Sequence, residues 1–279
     1  MIPIRDALRS QRFPVVTVLL IILNLLVFAY QVYLETTPAV LVDLAPWTRS
    51  GLTPPVVDAR TSLGIARQAA TGSAQYPVAA ADAFVMRYGL VAAEFTGGVD
   101  LPPLLPVPIW LTLLTSMFLH GSFLHVLGNM LYLWVFGDNV EEAMGSARFL
   151  AFYLLCGATA GLAQLALDLH SATPLVGASG AIAGVLGAYI MLFPSSRILT
   201  VIPIFFFIRL VSIPAVIVLG IWFVLQVVNS AVSIGSSGGG VAWFAHIGGF
   251  AAGFGLVVLF RRRGVRLGLV DLLRRRASI

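Results

Sequence analysis

The chain has 279 residues, 59% of them hydrophobic and only 10% charged, against roughly 25% charged in soluble domains. That composition excludes an ordinary water-soluble globular protein, and the formal net charge of +5 resides in arginines gathered at the two ends, which read as membrane-topology signals and not as a nucleic-acid surface. A single cysteine, Cys156, excludes an intrachain disulfide.

In chain order, Arg5, Arg9 and Arg12 precede an uncharged run over 15–34, long enough to cross a bilayer of roughly 30 Å at 1.5 Å per residue. The run is long for a signal peptide and no small-x-small cleavage site follows it, so a retained first span is expected. Residues 35–109 are rich in Pro and acidic side chains. They read as a long outer loop with a short helix in 59–70 and an amphipathic interfacial piece at 84–95. Apolar helices then recur at 110–136, 147–168, 177–193, 211–232 and 241–260, making six spans with the first. Arg197 and Arg209 fall in a short inner loop, and Arg261, Arg262, Arg263, Arg266, Arg274, Arg275 and Arg276 in the tail, so both termini are expected in the cytoplasm. The expected organisation is a cytoplasmic segment 1–14, one all-α membrane domain 15–260 and a basic cytoplasmic tail 261–279. The tail alternates apolar and basic residues, which suits either an anionic inner leaflet or simple anchoring.

Within that frame, TPLVGASGAIAGVLGAYIMLF (173–193) carries one hydroxyl, Ser179, among Gly177, Gly180, Gly184 and Gly187. Small residues at four-residue spacing are ordinary glue between membrane helices, and packing is one reading of Ser179. The other comes from polar groups at the same expected depth. His125 and Asn129 lie one helical turn apart in the second span, and His246 lies early in the sixth. Intramembrane ionisable groups usually face a cavity or a partner. A buried neutral imidazole bonded to a carbonyl remains the alternative for His246, and an interhelical hydrogen-bonded pair for His125 and Asn129. Gly180 and Gly184, with Gly249 and Gly253, would let the fourth and sixth spans approach until Ser179 and His246 touch. His120 and His170 sit nearer span ends and read as interfacial.

The set HGSFLHVLGN (120–129), GASG (177–180) and AHIGGFAAG (245–253) resembles the rhomboid family of intramembrane serine proteases. The similarity continues through YGLVAAEF (88–95), LTSMFLHG (114–121) and GDNVEEAMG (137–145), in order, across about 84–260. The resemblance implies a six-transmembrane-helix bundle with Ser179 as nucleophile and His246 as general base. It implies an oxyanion hole from the side chains of His125 and Asn129 and the backbone N–H of Ser179. No Asp or Glu lies near His246 in sequence, so the chain supports a dyad and not a triad. Two departures stand out: Thr112 replaces the Arg expected after Trp110, and Ala183 occupies a position where some members stack an aromatic ring on the histidine. His246 then needs other packing, from Trp243 or Phe250.

SAVSIGSSGGG (230–240) reads either as a lid over the site or as a plain connector. Glu141 reads as a carboxylate knitting the turn after the second span through backbone amides. No HExxH signature and no mid-span Asp pair is present, which disfavours other intramembrane proteolytic chemistries, and no paired broken helices suggest a transporter. The expectation is a multi-pass protein of the inner or plasma membrane that hydrolyses peptide bonds in or near transmembrane segments of other membrane proteins. It needs no metal, cofactor or nucleic acid, and the oligomeric state is open. The non-enzyme alternative is an inactive rhomboid-shaped binding or chaperone protein; retention of both Ser179 and His246 distinguishes the two.

Overall fold

A computed structural model describes residues 2–8, 10–55, 65, 69, 72, 74–204, 207–233 and 241–277. In chain order the elements are strand β1 (Ile2–Asp6), helix α1 (Val15–Glu35), β2 (Val40–Asp43), α2 (Ala45–Arg49), β3 (Gln75–Val78), α3 (Ala80–Tyr88) and α4 (Ala92–Gly97). After a 3-10 turn (Ile109–Leu111) follow α5 (Thr112–Thr115), α6 (Phe123–Met144), α7 (Ser146–Leu165) and α8 (Ser179–Leu192). The chain ends with β4 (Arg197–Ile204), β5 (Phe207–Pro214), α9 (Ala215–Ser233), α10 (Trp243–Phe260) and α11 (Gly268–Ala277). Among the described residues, α1, α7, α9 and α10 are long and apolar enough to cross a membrane, with a fifth span if Ile109–Phe118 and Phe123–Met144 count as one broken span. The chain is a multi-pass membrane protein.

The remaining apolar helix, α8, has 14 residues. At 1.5 Å per residue it is about 21 Å long, short of the roughly 30 Å of hydrocarbon. The expected continuous span at 110–136 is interrupted where Leu119 turns extended and Ser122 starts a fresh helix, its hydroxyl accepting from the His125 amide at 3.2 Å.

The chain divides into two compact units. The first comprises Met1–Leu23, Ser122–Gln164 and Ala178–Ile279 and holds the helices around α8. It also holds a three-stranded antiparallel sheet in the order β1-β4-β5, where the sequence suggested a short basic inner loop and a cytoplasmic amino-terminal segment. The β-branched residues of RILTVIPI and FIRLVSIP favour extended backbone, and α9 begins at Ala215, not 211. Asp6 ties β1 to this unit. Its carboxylate accepts from the Ser196 hydroxyl at 2.6 Å, the Leu8 amide at 3.0 Å, Asn139 Nδ2 at 3.1 Å and the Tyr189 hydroxyl. Glu141, buried on α6, reaches further than its own turn: it accepts from the amides of Val16 and Thr17 at 3.0 and 2.8 Å, the Thr17 hydroxyl at 2.8 Å and Ser146 Oγ at 2.6 Å. The negative group thus caps the amino terminus of α1, where helix amides lack intrahelical acceptors.

The second unit comprises Asn24–Gly121 and Leu165–Gly177. The segment expected as a long outer loop has a core of its own: Leu44, Trp47, Val78, Met86 and Val91 are buried together. Strands β2 and β3 pair antiparallel, Trp47 Nε1 donates to the Pro102 carbonyl at 2.6 Å, and Asp43 accepts from the Ala45 and Ala74 amides at 3.0 and 2.8 Å. The amphipathic piece at 84–95 is two helices, broken where Leu90 pairs with Leu175. Of the helix expected in 59–70, Ile65 and Ala69 are helical and buried in this core, and the rest lies outside the described residues. Glu94 is buried and accepts from the Leu101 amide at 3.0 Å. Burial pushes its carboxyl up to about 7, partly offset by that bond and reinforced by the nearby charge of Asp100.

Candidate active site

Gly177 has φ of +123° and its amide donates to the Ser116 carbonyl at 2.9 Å. A side chain would strain this conformation. Two residues later Ser179 opens α8, preceded by Ala178, which offers no side-chain cap. The first amides of a helix have no acceptor within it and carry the positive end of its dipole, so the Ser179 hydroxyl stands where negative charge is favoured.

Close packing of α8 and α10 brings a histidine to this serine. Gly249 and Gly253 face the carbonyl oxygens of Gly180 and Gly184 so closely that a Cβ on either would overlap the oxygen. Gly180 and Gly184 also pack on Ala160 and Cys156 of α7. The amino end of α10 has no side-chain cap of its own, and Gln164 supplies one, its Oε1 accepting from the Ala245 amide at 3.2 Å. One residue on, His246 Nε2 lies 2.8 Å from Ser179 Oγ. Ser179 is half-buried and His246 is 9% exposed, so the imidazole is largely shielded.

Two features of the imidazole's surroundings were missed in the sequence. His246 Nδ1 lies 2.8 Å from Gln226 Oε1 of α9. Trp222, one turn before Gln226, lies against the imidazole at 5.9 Å between centroids; Trp243, which the sequence did offer for this packing, meets it edge-on at 6.2 Å. Phe250, the other residue the sequence offered for this packing, instead stacks on Phe223 at 4.5 Å. A glutamine in the otherwise apolar IWFVLQVVN was a signal: a buried polar side chain in a span needs a partner.

On α6, His125 is half-buried and Asn129 is 8% exposed, one turn apart in the same unit as Ser179, and α6 packs against α8. The other two histidines are elsewhere. His120 is buried in the second unit, exchanging backbone bonds with the Gln31 side chain at 3.0 and 3.1 Å, and exposed His170 caps back to Asp168 at 3.1 Å. The lid suggested at 230–240 falls mostly on 234–240, outside the described residues.

The model of the Rhomboid domain family matches residues 108–263, more than half of the chain. This chain belongs to the rhomboid family. It is 37% identical over 147 residues to "Rhomboid protease GluP" of Bacillus subtilis, covering 52% of this chain and 25% of that protein. It is 34% identical over 155 residues to "RHOMBOID-like protein 5" of Arabidopsis thaliana, covering 53% of this chain and 44% of that protein. With "Rhomboid protein 1, mitochondrial" of Saccharomyces cerevisiae it shares 33% identity over 149 residues, covering 51% of this chain and 40% of that protein. The chain thus spans less than half the length of these curated relatives. The matched rhomboid region contains Ser179, His246, Gln226, His125 and Asn129, and leaves out most of the second unit, including Trp47 and Glu94.

Proposed function

We propose that this rhomboid is an intramembrane serine endopeptidase, with Ser179 as nucleophile and His246 as general base. The observation that carries the reading is the 2.8 Å approach of His246 Nε2 to Ser179 Oγ, at the start of a 14-residue helix. A serine hydroxyl is weakly nucleophilic until an adjacent base takes its proton. Ser179 Oγ attacks the scissile carbonyl carbon as its proton passes to His246 Nε2. The tetrahedral oxyanion is held by the Ser179 amide and by the side chains of His125 and Asn129. His246 then returns the proton to the leaving amine, and a water activated by the same imidazole releases the acyl group. Each oxyanion donor contributes about 10²–10³-fold in rate in soluble serine proteases.

Substrates are transmembrane segments of other membrane proteins, cut near their outer ends. What supports this reading is that α8 starts with the nucleophile and, at about 21 Å, is shorter than the roughly 30 Å of hydrocarbon. With the basic residues near both ends on the cytoplasmic side, the amino ends of α6, α8 and α10 share the outer half of the bundle. Cleavage of a single-span reporter by purified protein, compared between the wild type, Ser179→Ala and His246→Ala, tests the reading. Turnover in the wild type alone supports it; turnover in Ser179→Ala sinks it. A folded wild type that cuts no member of a reporter panel moves the inactive binding-protein alternative ahead.

A further inference from the structure

We infer that Gln226 is the positioning residue for His246, filling with a neutral amide the place that an acidic side chain takes in a Ser-His-Asp triad. The inference rests on the protease reading and adds to it a residue on a third helix. For Nε2 to accept the Ser179 proton, the imidazole must carry its own proton on Nδ1. Nδ1 lies 2.8 Å from Gln226 Oε1, an acceptor, so this contact selects the tautomer the reaction requires.

The orientation of an amide is a matter of its partners, and here they agree. Gln226 Nε2 donates to the Trp222 carbonyl at 3.2 Å, one turn back on α9. Rotating the amide by a half turn would set its oxygen against that carbonyl. That contact would become repulsive, so the Trp222 carbonyl locks the oxygen toward His246. Gln226 is itself 6% exposed, and the Trp222 ring lies against the same imidazole, so α9 fixes both the tautomer and the ring plane. A buried amide accepts the hydrogen bond from Nδ1–H without placing a second charge in the membrane interior, where charge is costly.

Two variants separate positioning from mere packing: Gln226→Leu removes the acceptor, and Gln226→Glu keeps one. The full-length protein in detergent is reacted with an alkyl fluorophosphonate. Ser179 Oγ bonds to phosphorus, fluoride leaves, and the hydroxyl proton passes to His246, so the labelling rate reports activation of the serine without a known substrate. Gln226→Leu is expected to label about tenfold or more slowly, the loss of one buried hydrogen bond to a group that becomes charged, with Gln226→Glu recovering most of the rate. Histidine 15N spectra, assigned with His246→Ala, give the second readout: the Nδ1–H tautomer in the wild type, and its loss in Gln226→Leu. Equal labelling of wild type and Gln226→Leu overturns the inference, as does a wild-type His246 protonated on Nε2. A wild type that does not label at all overturns the protease reading, and the tautomer spectra then decide the role of Gln226 by themselves.

Discussion

Gly253→Ala is the smallest change that tests the packing on which the Ser179–His246 contact depends. Two effects of opposite sign compete. Alanine is the better helix former by about 1 kcal/mol, which would stabilise α10. Against this, the new methyl points at the Gly184 carbonyl oxygen, which belongs to a helix backbone and cannot swing aside. Restoring an ordinary contact requires α10 and α8 to part by on the order of 1 Å, and overpacking of this kind costs about 1–3 kcal/mol. The steric term wins over most of this range, with a net loss of up to about 2 kcal/mol and a lower melting temperature in detergent. Function suffers more than stability, because His246 is on α10 and Ser179 on α8. A shift of about 1 Å takes their 2.8 Å contact beyond hydrogen-bonding range, and misplacement on that scale costs about 10²-fold in rate. Gly255→Ala on the same helix is the control, since a Cβ there meets nothing within 4 Å. Turnover of a single-span reporter and thermal unfolding are measured for both. A Gly253→Ala protein as active and as stable as Gly255→Ala would refute the reasoning.

Asn129→Ala should lower reporter turnover about 10²-fold while leaving the melting temperature near that of the wild type, as for loss of one oxyanion donor; unchanged turnover would remove Asn129 from the site. Glu141→Gln should destabilise the fold by about 1–3 kcal/mol, because a charged acceptor of four bonds is replaced by a neutral amide that accepts through one atom; hydrogen exchange at the Val16 and Thr17 amides should rise with it. In the second unit, the raised Glu94 carboxyl makes stability fall as pH rises. The group stays protonated in the fold up to about 7, whereas the unfolded chain releases that proton near 4.5, so the contribution is complete below about 4.5 and gone above about 7. Exchange at the Leu101 amide, followed from pH 5 to 8, should show this slope in the wild type and lose it in Glu94→Gln; a flat wild-type profile would count against it.

The apolar helices were legible because hydropathy and length report directly on burial in hydrocarbon. So was the approach of α8 to α10, since glycines at four-residue spacing on both helices have few uses other than backbone contact. The start of α9 was not: LVSIP runs without a polar break into AVIVLG, and an apolar run of that kind does not separate strand from helix. Asp6 was equally opaque, because the groups it binds at Asn139, Tyr189 and Ser196 come together only through the fold. The core of the second unit hid behind its prolines and acidic residues, although Trp47 lies in the stretch and is fully buried. Gln226 was not legible as a partner of His246, because a third group in such sites is ordinarily a carboxylate and an uncharged amide carries no charge to mark it in the sequence.

The most direct measurement is cleavage of a single-span transmembrane reporter by the purified wild-type protein beside Ser179→Ala, both in detergent and both shown to be folded. The account predicts a cut near the outer end of the reporter's span by the wild type and none by Ser179→Ala. The same cut by Ser179→Ala would contradict it.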